Sequence, residues 1–212
     1  QRKSNVFITR PNPGAHSIEL GLSLNTMLKD LLKVARTTKE VKGILNSKEV
    51  LVDGKRRKDV HHMVGFMDVI EIPQTNQAFR ISFDGHGRLI AIKVDPKEAK
   101  LKLCSIKNKA KILGGKTQLN LSDGRNMIID KDTYKTGDTL VLECLSQTIK
   151  EHIPVKEGSI AFIIGGKHEG IKAKIKKIEG NNITVIDEKG TELVTNKKNI
   201  FIIGKDKEAV TI

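Results

Sequence analysis

Apolar residues in this chain change their spacing once, and that change limits what it can fold into. Leu24, Met27, Leu28, Leu31, Leu32 and Ala35 follow the i, i+3, i+4, i+7 spacing of one helical face. Ser23 stands where an N-cap belongs. Thr37 and Glu40 form a capping-box pair ahead of Val41, Ile44 and Leu45, which predicts a second short helix from about Thr38. Beyond Leu45 no segment keeps helical spacing for more than a turn. The rest of the chain must satisfy its backbone in strands and turns.

Val50-Leu51-Val52 is followed by Asp53-Gly54, a dipeptide suited to the positive φ angles of a tight hairpin, and by the basic run Lys55-Arg56-Arg57-Lys58. A strand over residues 67–72 ends at Pro73. Helix, helix, hairpin and strand make a compact α/β module. After Pro73 come short β runs, Phe79 to Phe83 and Leu89 to Val94, with turns at residues 84–87 and 122–126 and one helical turn at residues 96–100. This pattern predicts a central β-barrel or sandwich. From about Pro154 a further set of short strands, at residues 159–164, 171–178, 183–186 and 199–203, predicts a small SH3-like barrel. The expected class is therefore α+β: a basic extended arm over 1–16, an α/β module over 17–73, a central β domain over 74–153 and a barrel over 154–212.

Charge points to the partner. The 38 Lys and Arg against 25 Asp and Glu leave a net charge of +13, a surface that favours polyanions. Residues 1–60 carry 13 basic and 6 acidic side chains, whereas residues 151–212 carry 11 and 9, so the excess lies mainly in the N-terminal third. Arg36, Lys39 and Lys42 recur at three-residue steps around the start of the second helix, where Thr37 and the helix N-terminus suit a phosphate. Alone, that pattern also fits an ordinary solvated helix face. The hairpin would bring Lys55, Arg56, Arg57 and Lys58 beside it, and so many adjacent cations are best rationalised by RNA. Near the C-terminus, residues 171–176 alternate strictly. Ile171, Ala173 and Ile175 would face the core, while Lys172, Lys174 and Lys176 would either track a phosphate backbone or keep an exposed strand soluble. The arm adds Arg2, Lys3 and Arg10.

Other classes find little support. Ala110 to Thr117 imitates a phosphate loop, but its first glycine is replaced by Ala110 and the residues after it alternate like a strand. His61 and His62 are adjacent and would point apart, and no Cys, His or carboxylate stands at metal-ligand spacing. No catalytic constellation is recognisable, so neither an enzyme, a cofactor nor a small-molecule substrate is expected. Cys104 and Cys144 are too few and too distant for a disulfide framework, which fits a reducing cytoplasm. No segment is apolar enough for a membrane span, and no amphipathic membrane-surface helix is present, so a soluble protein is expected. With Tyr134, six Phe and no Trp, readout by base stacking is disfavoured against phosphate and shape contacts with folded RNA. The chain starts at Gln1, which reads as a truncated or processed form.

Several blocks, in order, resemble a known family. RPNPGAH over Arg10 to His16, KEVLVDGKRRKD over Lys48 to Asp59, VGFMDVIEI over Val64 to Ile72, KLKLCSIK over Lys100 to Lys107 and NIFIIGK over Asn199 to Lys205 are similar to the archaeal and eukaryotic small-subunit ribosomal protein family S4e. The resemblance spans nearly the whole chain. It implies an S4-type RNA-binding domain, a family-specific central β domain and a C-terminal KOW domain whose characteristic glycine is Gly170. It further implies that Arg36, Thr37, Lys39, Lys42 and Lys55 to Lys58 form the first RNA surface, and that Lys167, His168 and Gly170 form a KOW loop. Members usually carry a further basic segment before the Arg-Pro motif, and the short C-terminus resembles the archaeal type. The expected partners are small-subunit rRNA and neighbouring ribosomal proteins, with the chain a monomer within the ribosome. Two alternatives stay open: an RNA-modifying enzyme of the pseudouridine-synthase kind, and a KOW-containing transcription elongation factor.

Overall fold

A computed structural model describes residues 7–212. Strand β1 (Gly21–Ser23) leads into α1 (Leu24–Thr26), capped as expected by the Ser23 hydroxyl, which accepts from the Thr26 N–H at 3.3 Å. The helix then widens to a π turn over Met27–Leu31, in which the Leu32 N–H reaches the Met27 carbonyl at 2.9 Å. Lys33 takes a positive φ of 52°, so the regular helix stops short of Ala35, which is buried from the following link instead. Periodicity alone extends the helix by a turn because Ala35 still faces the core. Helix α2 (Thr38–Ser47) begins where the capping pair predicts, with Val41 and Leu45 fully buried.

β2 (Leu51–Val52) and β3 (Lys55–Arg56) form the predicted hairpin, with Asp53 at φ 51° and Gly54 at φ 73° in its two-residue turn. β4 (Met63–Gly65) returns to pair with β1. β5 (Val69–Ile72) lies against β2, and Pro73 to Asn76 turns the chain tightly into β6 (Gln77–Phe83), followed by β7 (Leu89–Val94). The five-stranded sheet so formed runs β3-β2-β5-β6-β7, and residue 73 lies inside it. Ile81 of β6 packs with Leu24, Met27, Leu28, Val41, Leu45 and Ile70, so β6 supplies part of the N-terminal core.

A second antiparallel sheet comprises β8 (Leu101–Lys111), β9 (Thr117–Leu121), β10 (Asn126–Ile129), β11 (Thr139–Glu143) and β12 (Ile149–Ile153), in the order β10-β9-β8-β11-β12. The third comprises β13 (Ile160–Ile163), β14 (Lys172–Glu179), β15 (Asn182–Asp187), β16 (Glu192–Asn196) and β17 (Ile200–Gly204). Its order is β16-β15-β14-β13-β17, the last strand returning beside the first as an SH3-like half-barrel requires. β16, which the sequence reading did not anticipate, alternates half-buried and exposed residues at the sheet edge.

The sheets share a core. Phe66 stacks on Phe83 and Phe162 at centroid distances of 5.2 and 5.6 Å and meets Phe201 edge-on at 5.1 Å, which joins the N-terminal module to the third sheet. Arg80 is completely buried among them. Its guanidinium donates to the Glu98 carboxylate at 2.7 Å and to the Thr211 and Leu101 carbonyls at 3.0 and 2.8 Å, tying the chain's last residues to the middle of the fold.

Candidate nucleic-acid interface

The expected N-terminal surface is assembled by α2 and the β2–β3 hairpin. Glu40 accepts a hydrogen bond from the Arg36 backbone N–H at 2.8 Å, while its own N–H donates to the Thr37 hydroxyl at 3.2 Å. The Arg36 N–H holds the Glu40 carboxyl below its ordinary range. This cap occupies the carboxylate with backbone and leaves the Arg36 side chain exposed. Lys39, Lys42 and Asn46 lie on one stripe of α2 by helical spacing. The Arg56 guanidinium donates to the Asn46 carbonyl at 3.3 Å, so the hairpin abuts the end of that stripe. Lys55, Arg56 and Lys58 are exposed and Arg57 is half-buried. Among the described residues, none of Arg36, Lys39, Lys42, Lys55, Arg56, Arg57 and Lys58 has a carboxylate oxygen within 4.0 Å. Their charge is unspent.

Beneath the hairpin lies an ionic cluster that joins the module to the second sheet. Lys102 is fully buried, with its Nζ 2.6 Å from Asp53, 2.5 Å from Asp68 and 3.4 Å from Asp123. Arg125 bridges Asp53 at 2.9 Å and Asp123 at 3.0 Å, and His16 donates to Asp68 at 2.9 Å. Burial opposes charge on both Lys102 and Asp68, but their mutual attraction wins: Asp68 is held far below the usual carboxylate range and Lys102 well above its usual value. Asp53 also accepts from the Val69 N–H at 3.0 Å, fixing the hairpin turn on β5. Above this cluster a cleft of about 360 Å³ opens between Gly14, Lys55, Arg57, His62 and Arg125. Burial and the neighbouring Arg57 hold the His62 ring below its ordinary pKa.

Part of the arm lies along the module. The Asn12 N–H donates to the His61 carbonyl at 2.9 Å, its amide side chain donates to Asp59 at 3.0 Å, and the His61 ring bonds the Arg10 carbonyl at 2.9 Å. Arg2 and Lys3 lie outside the described residues.

The C-terminal candidates differ. Ala173 and Ile175 face the core as the alternation predicts, but Lys172 pairs with Glu208 at 2.8 Å and Lys176 with Glu192. Lys174 is exposed, as is Lys167, and His168 is half-buried. Gly170, at φ 86°, packs against the β6–β7 turn so closely that an added Cβ would lie 1.7 Å from the Asp84 carbonyl oxygen. Only glycine permits that approach. Two turn aspartates are engaged locally: Asp84 accepts from the His86 and Arg88 N–H groups at 2.9 and 2.8 Å, and Asp138 accepts from the Lys135 and Val155 N–H groups, both at 3.0 Å. The glycines of the imitation phosphate loop join two strands, β8 and β9.

Sequence reasoning missed the Lys102 cluster. The available signal was Lys102 itself, a single cation inside the apolar run Leu101 to Cys104 of a strand.

Known proteins resemble this chain over nearly its full length. Residues 75–149 match the model of the ribosomal family S4e, and residues 24–70 match the S4 domain. The small ribosomal subunit protein eS4 of Methanothermobacter thermautotrophicus is 41% identical over 216 residues, covering 99% of this chain and 89% of that protein. Its counterpart in Methanocaldococcus jannaschii is 42% identical over 225 residues, covering 100% and 91%. A crystal structure of the 30S ribosomal protein S4e from Thermoplasma acidophilum superposes with a TM-score of 0.77 at 33% identity, covering 89% of this chain and 97% of that one. With such identity over its full length, this chain belongs to the ribosomal family S4e.

Proposed function

We propose that the chain is a structural, non-catalytic constituent of the small ribosomal subunit in the archaeal cytoplasm and binds rRNA through Arg36, Thr37, Lys39, Lys42 and the Lys55 to Lys58 hairpin. The observation that carries this reading is the contiguous set of cations on α2 and the hairpin with no carboxylate partner among the described residues. Unpaired lysines and arginines on a rigid scaffold neutralise phosphates and release counterions, so affinity falls steeply with salt. The helix N-terminus behind Thr37 adds the positive end of its dipole. The Lys102 cluster fixes the hairpin against the second sheet, so the RNA meets a preformed surface.

The finer assignments follow from the same reading. The chain divides into an N-terminal arm, an S4-type domain whose sheet runs past the expected boundary at 73 through β7, a central domain that starts with β8 and a KOW-type half-barrel over 154–212, and it joins the subunit as a single copy beside other ribosomal proteins. In the half-barrel, Lys167, His168 and Lys174 are the side chains available to RNA, with Gly170 shaping the loop. Membership of a ribosomal family argues against both the modifying-enzyme and elongation-factor readings. Sedimentation of a lysate tests the assignment: recovery in the small-subunit fraction after a moderate salt wash is expected, and recovery in light fractions alone would overturn it.

A further inference from the structure

Lys107 on β8 and the pair Lys197 and Lys198, in the 3-10 turn Lys197–Asn199 before β17, line one cleft between the second and third sheets. The cleft has a volume of about 520 Å³ and is lined also by Ile106, Gly137 and Ile200 and by the polar Ser105, Thr136, Asn181 and Asn196. No carboxylate lines it, and none of the three lysines has an acidic partner within 4.0 Å among the described residues. This sets it apart from the cleft above Lys102, which is lined by Asp53, Asp68 and Asp123, paired with Lys102 and Arg125.

The cleft is held open by backbone. The Gly137 N–H donates to the Ile106 carbonyl and the Lys197 N–H to the Asn181 carbonyl, both at 2.8 Å. Gly137, at φ 94°, leaves room for the Lys197 stem, whose Cε would stand 3.2 Å from an added Cβ. The Asn196 side-chain oxygen accepts from the Lys198 N–H at 3.1 Å, which fixes the turn that carries both lysines. Lysine ammonium groups, amide nitrogens and hydroxyls suit phosphate oxygens and 2′-hydroxyls, and the absence of aromatic side chains from the lining leaves nothing on which a base would stack.

We propose that this cleft is a second RNA-backbone site, which takes a ribose–phosphate segment of small-subunit rRNA and clamps the central sheet to the C-terminal one. The proposal rests on the rRNA-binding reading above. Its test is lysine acetylation of the full chain, free, bound to purified small-subunit rRNA, and in assembled subunits, with each lysine quantified by mass spectrometry. Several-fold protection of Lys107, Lys197 and Lys198 by rRNA alone is expected. Equal modification of these three in the free and bound states, with Lys39 and Lys55 protected, would overturn the cleft and leave the first surface standing. Loss of protection at Lys39 and Lys55 as well would overturn the rRNA reading itself. Protection of the cleft only in assembled subunits would mean that a neighbouring protein fills it, and would also overturn the proposal. As an independent readout, Lys107→Gln/Lys197→Gln/Lys198→Gln should lower the slope of log affinity against log salt by about 2–3, whereas an unchanged slope with an unchanged melting temperature would reject it.

Discussion

The N-terminal surface and the β14 strand use the same side chains and achieve different electrostatics. On α2 and the hairpin the cations stand together with no carboxylate oxygen within 4.0 Å among the described residues, and the Glu40 carboxylate accepts from the Arg36 backbone N–H. On β14 two of the three lysines of the stripe are paired, Lys172 with Glu208 and Lys176 with Glu192. A regular lysine stripe is therefore no measure of a polyanion site. What counts is whether the fold supplies counter-charges, and here it supplies them to Lys172 and Lys176 and withholds them from the cations of α2 and the hairpin.

The largest way to break this contrast is to remove what holds the N-terminal surface in place. Lys102→Met leaves Asp53, Asp68 and Asp123 buried with only Arg125 and His16 to offset them, and should cost about 3–5 kcal/mol in chemical denaturation. Hydrogen exchange at the Val69 N–H, which reports the hairpin anchor, should rise with it. Stability unchanged within error would show that the cluster is not the anchor.

Gly170→Ala comes next. It forces a side chain to φ 86° and into the Asp84 carbonyl, so about 1–3 kcal/mol is expected from backbone strain alone. Thermal melting measures the loss, and a melting temperature unchanged within error would show that the approach to Asp84 does not require glycine.

Acid provides a third test. The Asp68 carboxyl is held below its ordinary value near 3.8, so the stability it contributes is complete above that pH and is lost as pH falls through the folded-state value. Stability should therefore decline below about pH 4, and Lys102→Met should flatten that decline. The smallest effect is predicted for Lys172→Gln/Lys176→Gln, whose exposed pairs are worth about 0–1 kcal/mol, with little change in either melting temperature or rRNA affinity.

Much of this was legible in the sequence where local chemistry decides. The Ser23 and Thr37 caps, the Asp53-Gly54 turn and the alternation of β14 are local rules, and each is realised. What the sequence hid is set by distant partners. Glu208 stands 36 residues from Lys172, and Asp53 stands 49 residues from Lys102, so no periodicity reports either pairing. Arg80 looks like the polar side of a strand in Phe79 to Phe83, and only the return of Thr211 and the Glu98 carboxylate explains its burial. Pro73 ends an apolar run and so suggests a boundary ahead of β6, yet Pro73 to Asn76 is a turn that lets β6 pair with β5. Nor does any local pattern report the cleft lysines, since Lys107 and Lys197 are 90 positions apart in the chain.

The central claim is that unpaired cations, and not the lysine stripe, carry the affinity for rRNA. Salt titration of binding to purified small-subunit rRNA tests it directly, comparing Arg36→Glu/Lys39→Glu/Lys55→Glu/Arg56→Glu/Arg57→Glu with Lys172→Glu/Lys174→Glu/Lys176→Glu, both confirmed folded. The N-terminal variant should lower the log–log slope by about 4–5, and the β14 variant by about 1 or less, the contribution of unpaired Lys174. Equal slopes for the two variants, or a greater loss from the β14 variant, would contradict the account.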